Sequence, residues 1–117
     1  MSFTYNVIQK NPIAIFSLYG ELIDRNEGQR IMDEVNLLSE EGQNNFILEL
    51  SELKYVNSTG LNVLINILTK SRKNGGELII SGISKKVQEL LLITKLNSVF
   101  IVTETTDEAI EKFNEPK

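Results

Sequence analysis

Apolar positions along this chain alternate between two periods, and that alternation sets the elements. Tyr5 to Gln9 and Ile13 to Tyr19 are β-rich runs that predict two strands. Lys10-Asn11-Pro12 between them reads as a turn, because proline fixes its own φ and biases Asn11 away from helix. The pair therefore forms a hairpin, and Gly20 is expected to end its second strand. From Asp24 or Asn26 to about Glu41 the period changes to that of a helix. Ile31, Val35 and Leu38 lie on one face with Met32 beside them, and Gly42 stops the run. Phe46 to Leu50 is almost continuously apolar, the pattern of a central strand covered on both faces. Leu61, Leu64, Ile65 and Leu68 return to helical spacing over about Ser58 to Arg72, and Asn74-Gly75-Gly76 breaks the helix.

The rest repeats the scheme. Glu77 to Ser81 is a fourth strand, and Ser84 is placed to cap a third helix carrying Val87, Leu90 and Leu91. Phe100 to Thr103 is a fifth strand. Thr105-Thr106-Asp107-Glu108 has the form of a capping box before a last helix with Ala109, Ile110 and Phe113. Residues 114–117 are expected to be a frayed tail. Strands alternating with helices call for a parallel or mixed sheet with helices packed on it, an α/β fold.

Composition narrows the class. The chain has 117 residues, of which 41% are hydrophobic and 24% charged, which suits one soluble globular domain over 1–117. No apolar run reaches about 18 residues, so no transmembrane helix is expected. The first residues lack the charged and apolar regions of a signal peptide, so a cytoplasmic location is expected. Cysteine and histidine are absent. Disulfides, thiol chemistry, the common zinc sites and His-assisted nucleophiles are thereby excluded. No cofactor or metal site is expected, and no enzymatic activity. A net charge of −4 argues against nucleic acid as a partner and suits a chain that meets other proteins.

The junction Asn57-Ser58-Thr59-Gly60 is where strand becomes helix. Asn, Ser and Thr all cap helices well, since their side chains accept from the first-turn amides. The same amides and the helix dipole receive negative charge, so a hydroxyl here is both a cap and a candidate phosphorylation site.

Val56-Asn57-Ser58-Thr59-Gly60-Leu61 resembles the signature of bacterial STAS domains, specifically the single-domain anti-sigma-factor antagonists, whose usual form is an apolar residue, Asp, Ser, Ser or Thr, Gly, Leu. Gly20-Glu21-Leu22 resembles the family's Gly-x-Leu turn, and Lys73-Asn74-Gly75-Gly76-Glu77-Leu78 its helix-to-strand passage. Leu90 to Leu96 with Val99-Phe100-Ile101-Val102 resembles its third helix and last strand. The resemblance implies a mixed sheet of about five strands with about four helices largely on one side. Asn57 stands where the family has Asp, Ile23 where an acid often follows, and Asn62 where Gly is common.

The resemblance further implies a regulatory module that binds an anti-sigma factor, usually a serine kinase of the GHKL type. Phosphorylation at Ser58 switches that binding off, a PP2C-type phosphatase restores it, and the chain itself is a monomer or weak dimer. Thr59 is the second-ranked acceptor and otherwise a cap. Glu21, Asp24, Asn57, Ser58, Thr59, Gly60 and Asn62 form the expected partner surface, with Glu21 in a loop after the second strand. Plainer readings stand beside these: a helix cap for Asp24, and for Gly60 a steric need where helix meets strand. Tyr55 is core or surface, and the sequence leaves both open. A scaffold that is never phosphorylated and a small nucleotide- or phosphate-binding domain are the alternatives. The latter lacks any glycine-rich phosphate loop.

Overall fold

The computed structural model describes residues 3–115. A hairpin of β1 (Phe3–Lys10) and β2 (Ile13–Leu22) leads to α1 (Arg25–Glu40), β3 (Asn45–Val56) and α2 (Ser58–Lys73). β4 (Glu77–Ser81) and α3 (Lys85–Ile93) follow, then a short 3-10 turn, β5 (Ile101–Thr103) and α4 (Thr106–Asn114). The strands form one sheet in sequence order. β1 and β2 are antiparallel, and every later pairing is parallel.

The two faces of the sheet are covered unequally. Phe16, Phe46, Leu48, Leu78 and Ile80 look toward α1, α2 and α3, which bury Ile31, Val35, Leu64, Ile67 and Leu91 against them. Ile13, Ile15, Ile47 and Ile79 look the other way and meet α4 through Ala109, Ile110 and Phe113. β3 is the central strand, and both its faces are buried from Phe46 to Leu48, which explains its continuous apolar run. The helices thus lie three to one, the mixed five-stranded α/β arrangement expected.

The caps follow local chemistry. Ser84 accepts from the Val87 amide at 3.3 Å, and Thr105 with Glu108 completes a reciprocal capping box. Gly42 ends α1 in the left-handed region, with φ +91°. α1 and α2 cross closely at Gly28, where a Cβ would stand 2.7 Å from Val63 Cγ2.

Several boundaries differ from the sequence expectation, among them the first strand, which spans Phe3–Lys10 and so takes Lys10 from the expected turn. Gly20 does not end β2. It takes φ +90° inside an irregular stretch and the strand continues to Leu22, so Glu21 sits in a strand and not in a loop. β3 does not stop at Leu50 but runs on to Val56. Its register against β2 slips twice, between Ser17 and Tyr19 and between Gly20 and Glu21. Each slip adds a residue to β3, so Leu50, Leu53 and Val56 are all buried at a spacing of three. Bulges of this kind break the two-residue alternation that marks a strand in sequence. Finally, Asn114 closes α4 and Glu115 caps it, so the tail does not begin at Asn114. Residues 116 and 117 lie outside the described residues.

Candidate functional site

Because β2 and β3 are parallel and each feeds a helix, the starts of α1 and α2 lie side by side at one end of the sheet. The connections are short: Ile23 and Asp24 for one, Asn57 for the other. Asp24 is the N-cap of α1, and its Oδ1 accepts from the amides of Asn26 at 2.7 Å and Glu27 at 3.4 Å.

Asn57 is the N-cap of α2. Its Oδ1 accepts from the Gly60 amide at 3.0 Å, while its Nδ2 donates to the Ile23 carbonyl at 3.3 Å. One side chain thus closes the first turn of α2 and ties it to the strand-to-helix link of its neighbour. A carboxylate could perform the first task only, since it has no proton to donate. Neither Ser58 nor Thr59 is the cap, although capping was the plain reading of both.

Ser58 occupies the first position of α2 and is exposed. Thr59 is half-buried and turns toward the α1–α2 groove, an opening of about 250 Å³ that it shares with Arg25, Gln29, Met32, Asn62 and Asn66. The first turn of α2 contains no acid, and Lys70, Arg72 and Lys73 stand in its last turn. The dipole is therefore matched at the far end and open at the near one. Gly60 is buried, and a Cβ on it would come within 2.2 Å of the Leu22 carbonyl oxygen and 2.9 Å of Val56 Cβ. The close approach that this glycine permits is by its own chain.

Of the other expected residues, Glu21 is half-buried near the end of β2, in register with Tyr55. Asn62 is exposed one turn beyond Ser58. Asn57, Ser58, Thr59, Gly60, Asp24 and Glu21 thus share one end of the sheet, and Asn62 lines the adjoining groove. Arg25, Ile23 and Lys86 are not assigned to the site by the sequence, and Tyr55 is left open between core and surface. Arg25 brings a cation to that groove. Ile23 and Tyr55 are each 39% exposed on the rim. Lys86, from the first turn of α3, lies over the Tyr55 ring at 5.6 Å from its centroid. In the sequence Ile23 stands out only as a departure from the family pattern. An apolar residue beside a cap, outside any periodic run, is the signal that would have marked it.

Away from this end, burial raises the phenol of Tyr5 above its ordinary value, and Glu34, which accepts from its hydroxyl at 3.5 Å, adds to the rise. Among the described residues no His, Cys, Asp and Glu side chains gather in a group that could hold a metal ion. No helix among them is long and apolar enough to cross a membrane. What the rim offers is an exposed hydroxyl at a helix start, flanked by apolar and cationic surface.

The same fold recurs in proteins of known structure. A crystal structure of a Thermotoga maritima protein, provisionally named an anti-sigma factor antagonist, superposes with a TM-score of 0.84 at 25% identity, covering 97% of this chain and 95% of that one. The anti-sigma factor antagonist SpoIIAA, in its unphosphorylated form, superposes at 0.83 with 18% identity over 95% of this chain and 96% of its own, and supports the fold. In sequence, a T. maritima protein of the same provisional name is 31% identical over 71 residues, 61% of this chain and 63% of the relative. The anti-sigma-B factor antagonist of Staphylococcus aureus is 30% identical over 70 residues, 60% of this chain and 65% of its own. Each sequence match spans less than two thirds of the relative's length. The STAS domain model matches residues 4–109, from the first strand through the start of α4 and across the whole rim, and the chain belongs to the STAS domain family.

Proposed function

We propose that this protein is an anti-sigma-factor antagonist, a binding module and not an enzyme, whose hold on its partner is released by phosphorylation of Ser58. The observation that carries this reading is the division of labour at the start of α2. Asn57 supplies the cap, so the Ser58 hydroxyl is exposed and uncommitted to it. Related proteins carry the name of anti-sigma factor antagonist, and one solved neighbour, from Bacillus, is SpoIIAA in its phosphorylated form. In this reading residues 1–117 act as one domain in the cytoplasm. The partner is an anti-sigma factor that is also a serine kinase of the GHKL type, and a PP2C-type phosphatase resets the switch.

The physics is local. A phosphoryl group adds about −1.5 to −2 charge at neutral pH. At this helix start the amides and dipole receive it without unfolding the chain. On the contact surface the same charge is costly to desolvate. Ile23 and Tyr55 provide apolar contact on the rim, with Ser58, Asn62, Asp24 and Glu21 as polar contacts around them. Thr59, half-buried and facing the groove, is the second-ranked acceptor.

The test uses Ser58→Asp and Ser58→Ala with the cognate anti-sigma factor. Ser58→Asp should remain folded by circular dichroism and bind more weakly by calorimetry, with the loss shrinking at high salt. Exposed charges are screened over about 8 to 10 Å at physiological ionic strength. Ser58→Ala should bind as wild type and no longer respond to kinase and ATP. Undiminished binding of Ser58→Asp, with no mass increase on the wild-type chain, would favour a scaffold that is never phosphorylated. Asn57 is the residue that keeps that second reading in view, because it brings no carboxylate to the acceptor.

A further inference from the structure

One of the two outer edges of the sheet, that of β5, carries a surface that the Ser58 rim does not use. β5 is the outermost strand, paired with β4 and with no strand beyond it among the described residues. Val102, at its centre, is 39% exposed. On the α3 side of this edge, Val102 joins Ile83 and Leu92 in an apolar groove of about 220 Å³, and Leu92 is 55% exposed. On the α4 side the lining is acidic, with Glu104, Glu111 and Glu115 around Val102 and Thr103 and Lys112 as the cation among them. Glu108 belongs to the same stripe but is occupied in the capping box.

We propose that this edge accepts a sixth strand from another protein, an extended segment in which apolar residues alternate with Lys or Arg. Successive side chains of a strand point to opposite faces of the sheet. Val102 is in register with Ile80, so its side chain lies on the face that α3 covers. A strand laid against β5 would send alternate residues into the apolar groove and the intervening ones toward the α4 carboxylates. Main-chain pairing at an open edge supplies affinity, and the pockets for alternate side chains supply selectivity. A second copy of this chain is a poor occupant. It would set one acidic stripe against another on molecules that each carry a net charge of −4. The edge shares no lining residue with the α1–α2 groove, so this inference stands or falls independently of the Ser58 reading.

The probe is a synthetic peptide of about eight residues, an ordinary strand length, alternating valine and lysine. It is titrated into isotope-labelled protein and followed by amide chemical shifts. Saturable shifts should appear at Val102, Thr103 and Leu92, and the amides of β5 should exchange more slowly with solvent. A peptide with glutamate in place of lysine should bind at least about tenfold more weakly. Leu92→Glu and the double variant Glu111→Lys/Glu115→Lys change exposed positions and should keep native circular dichroism. Each should weaken the valine–lysine peptide by about tenfold. Equal affinity for both peptides, shifts scattered over other surfaces, or no response at millimolar peptide would overturn the proposal. The acids would then serve only to keep the edge from pairing at all.

Discussion

Asn57 shows how much one side chain can decide. It sits where the family pattern has Asp, closes α2 with its oxygen and reaches Ile23 with its nitrogen. Removing an N-cap costs about 0.5–2 kcal/mol, so Asn57→Ala should lower stability by about that much. Ser58→Ala removes an exposed hydroxyl that caps nothing and should stay within about 0.5 kcal/mol of wild type. Urea melts of the two variants test the assignment directly, and a larger loss for Ser58→Ala would return the cap to that residue. Both candidates were visible in the sequence, because Asn, Ser and Thr are each good caps. Composition could not say which one the backbone would choose, and only the position of the Gly60 amide separates them. Gly60 was harder to read. Its reason is the Leu22 carbonyl pressed against it, a contact between residues far apart in the chain.

At the scale of elements, the long amphipathic helices were the most legible, because many residues repeat the same signal. Leu64, on the inward face of α2, is fully buried. Leu64→Ala should cost about 2–5 kcal/mol in urea unfolding. An effect as small as that of an exposed substitution would mean that α2 turns another face inward. The crossing of α1 over α2 was not legible. Gly28→Ala should gain helix propensity yet destabilise overall, since its Cβ falls 2.7 Å from Val63 Cγ2. Val63→Ala in the same chain should restore part of the loss, and the double-mutant cycle should show a favourable coupling. Additive losses would place the strain elsewhere. The second half of β3 escaped the sequence for a different reason. Two bulges reset its alternation, so Leu50, Leu53 and Val56 match neither the strand nor the helix period.

For the whole molecule, the uneven layering predicts an order of opening. β3 is central and buried on both faces from Phe46 to Leu48, whereas α4 rests on a small cluster and β5 has an open side. Native-state hydrogen exchange should therefore be slowest in β3 and β4 and fastest, among the regular elements, in β5 and α4. Uniform protection across all five strands would contradict this. The fold class itself was legible because strand and helix periods alternate along most of the chain. The site was legible only as a junction, since the flank formed by Ile23, Tyr55 and Lys86 depends on register and not on any local motif.

The two bulges in β3 set a length as well as a pattern. Between the Ser17–Glu49 and Leu22–Val56 pairs, β3 uses two residues more than the strand beside it. That surplus is taken up within the bulges and does not lengthen the strand. Deleting one bulged residue would restore regular pairing there, so the residues beyond it would keep their β2 partners and their faces while the local bend and twist relax. The length of β3 can therefore change at these two points while every residue of the Asn-Ser-Thr-Gly junction keeps its place at the end of the sheet.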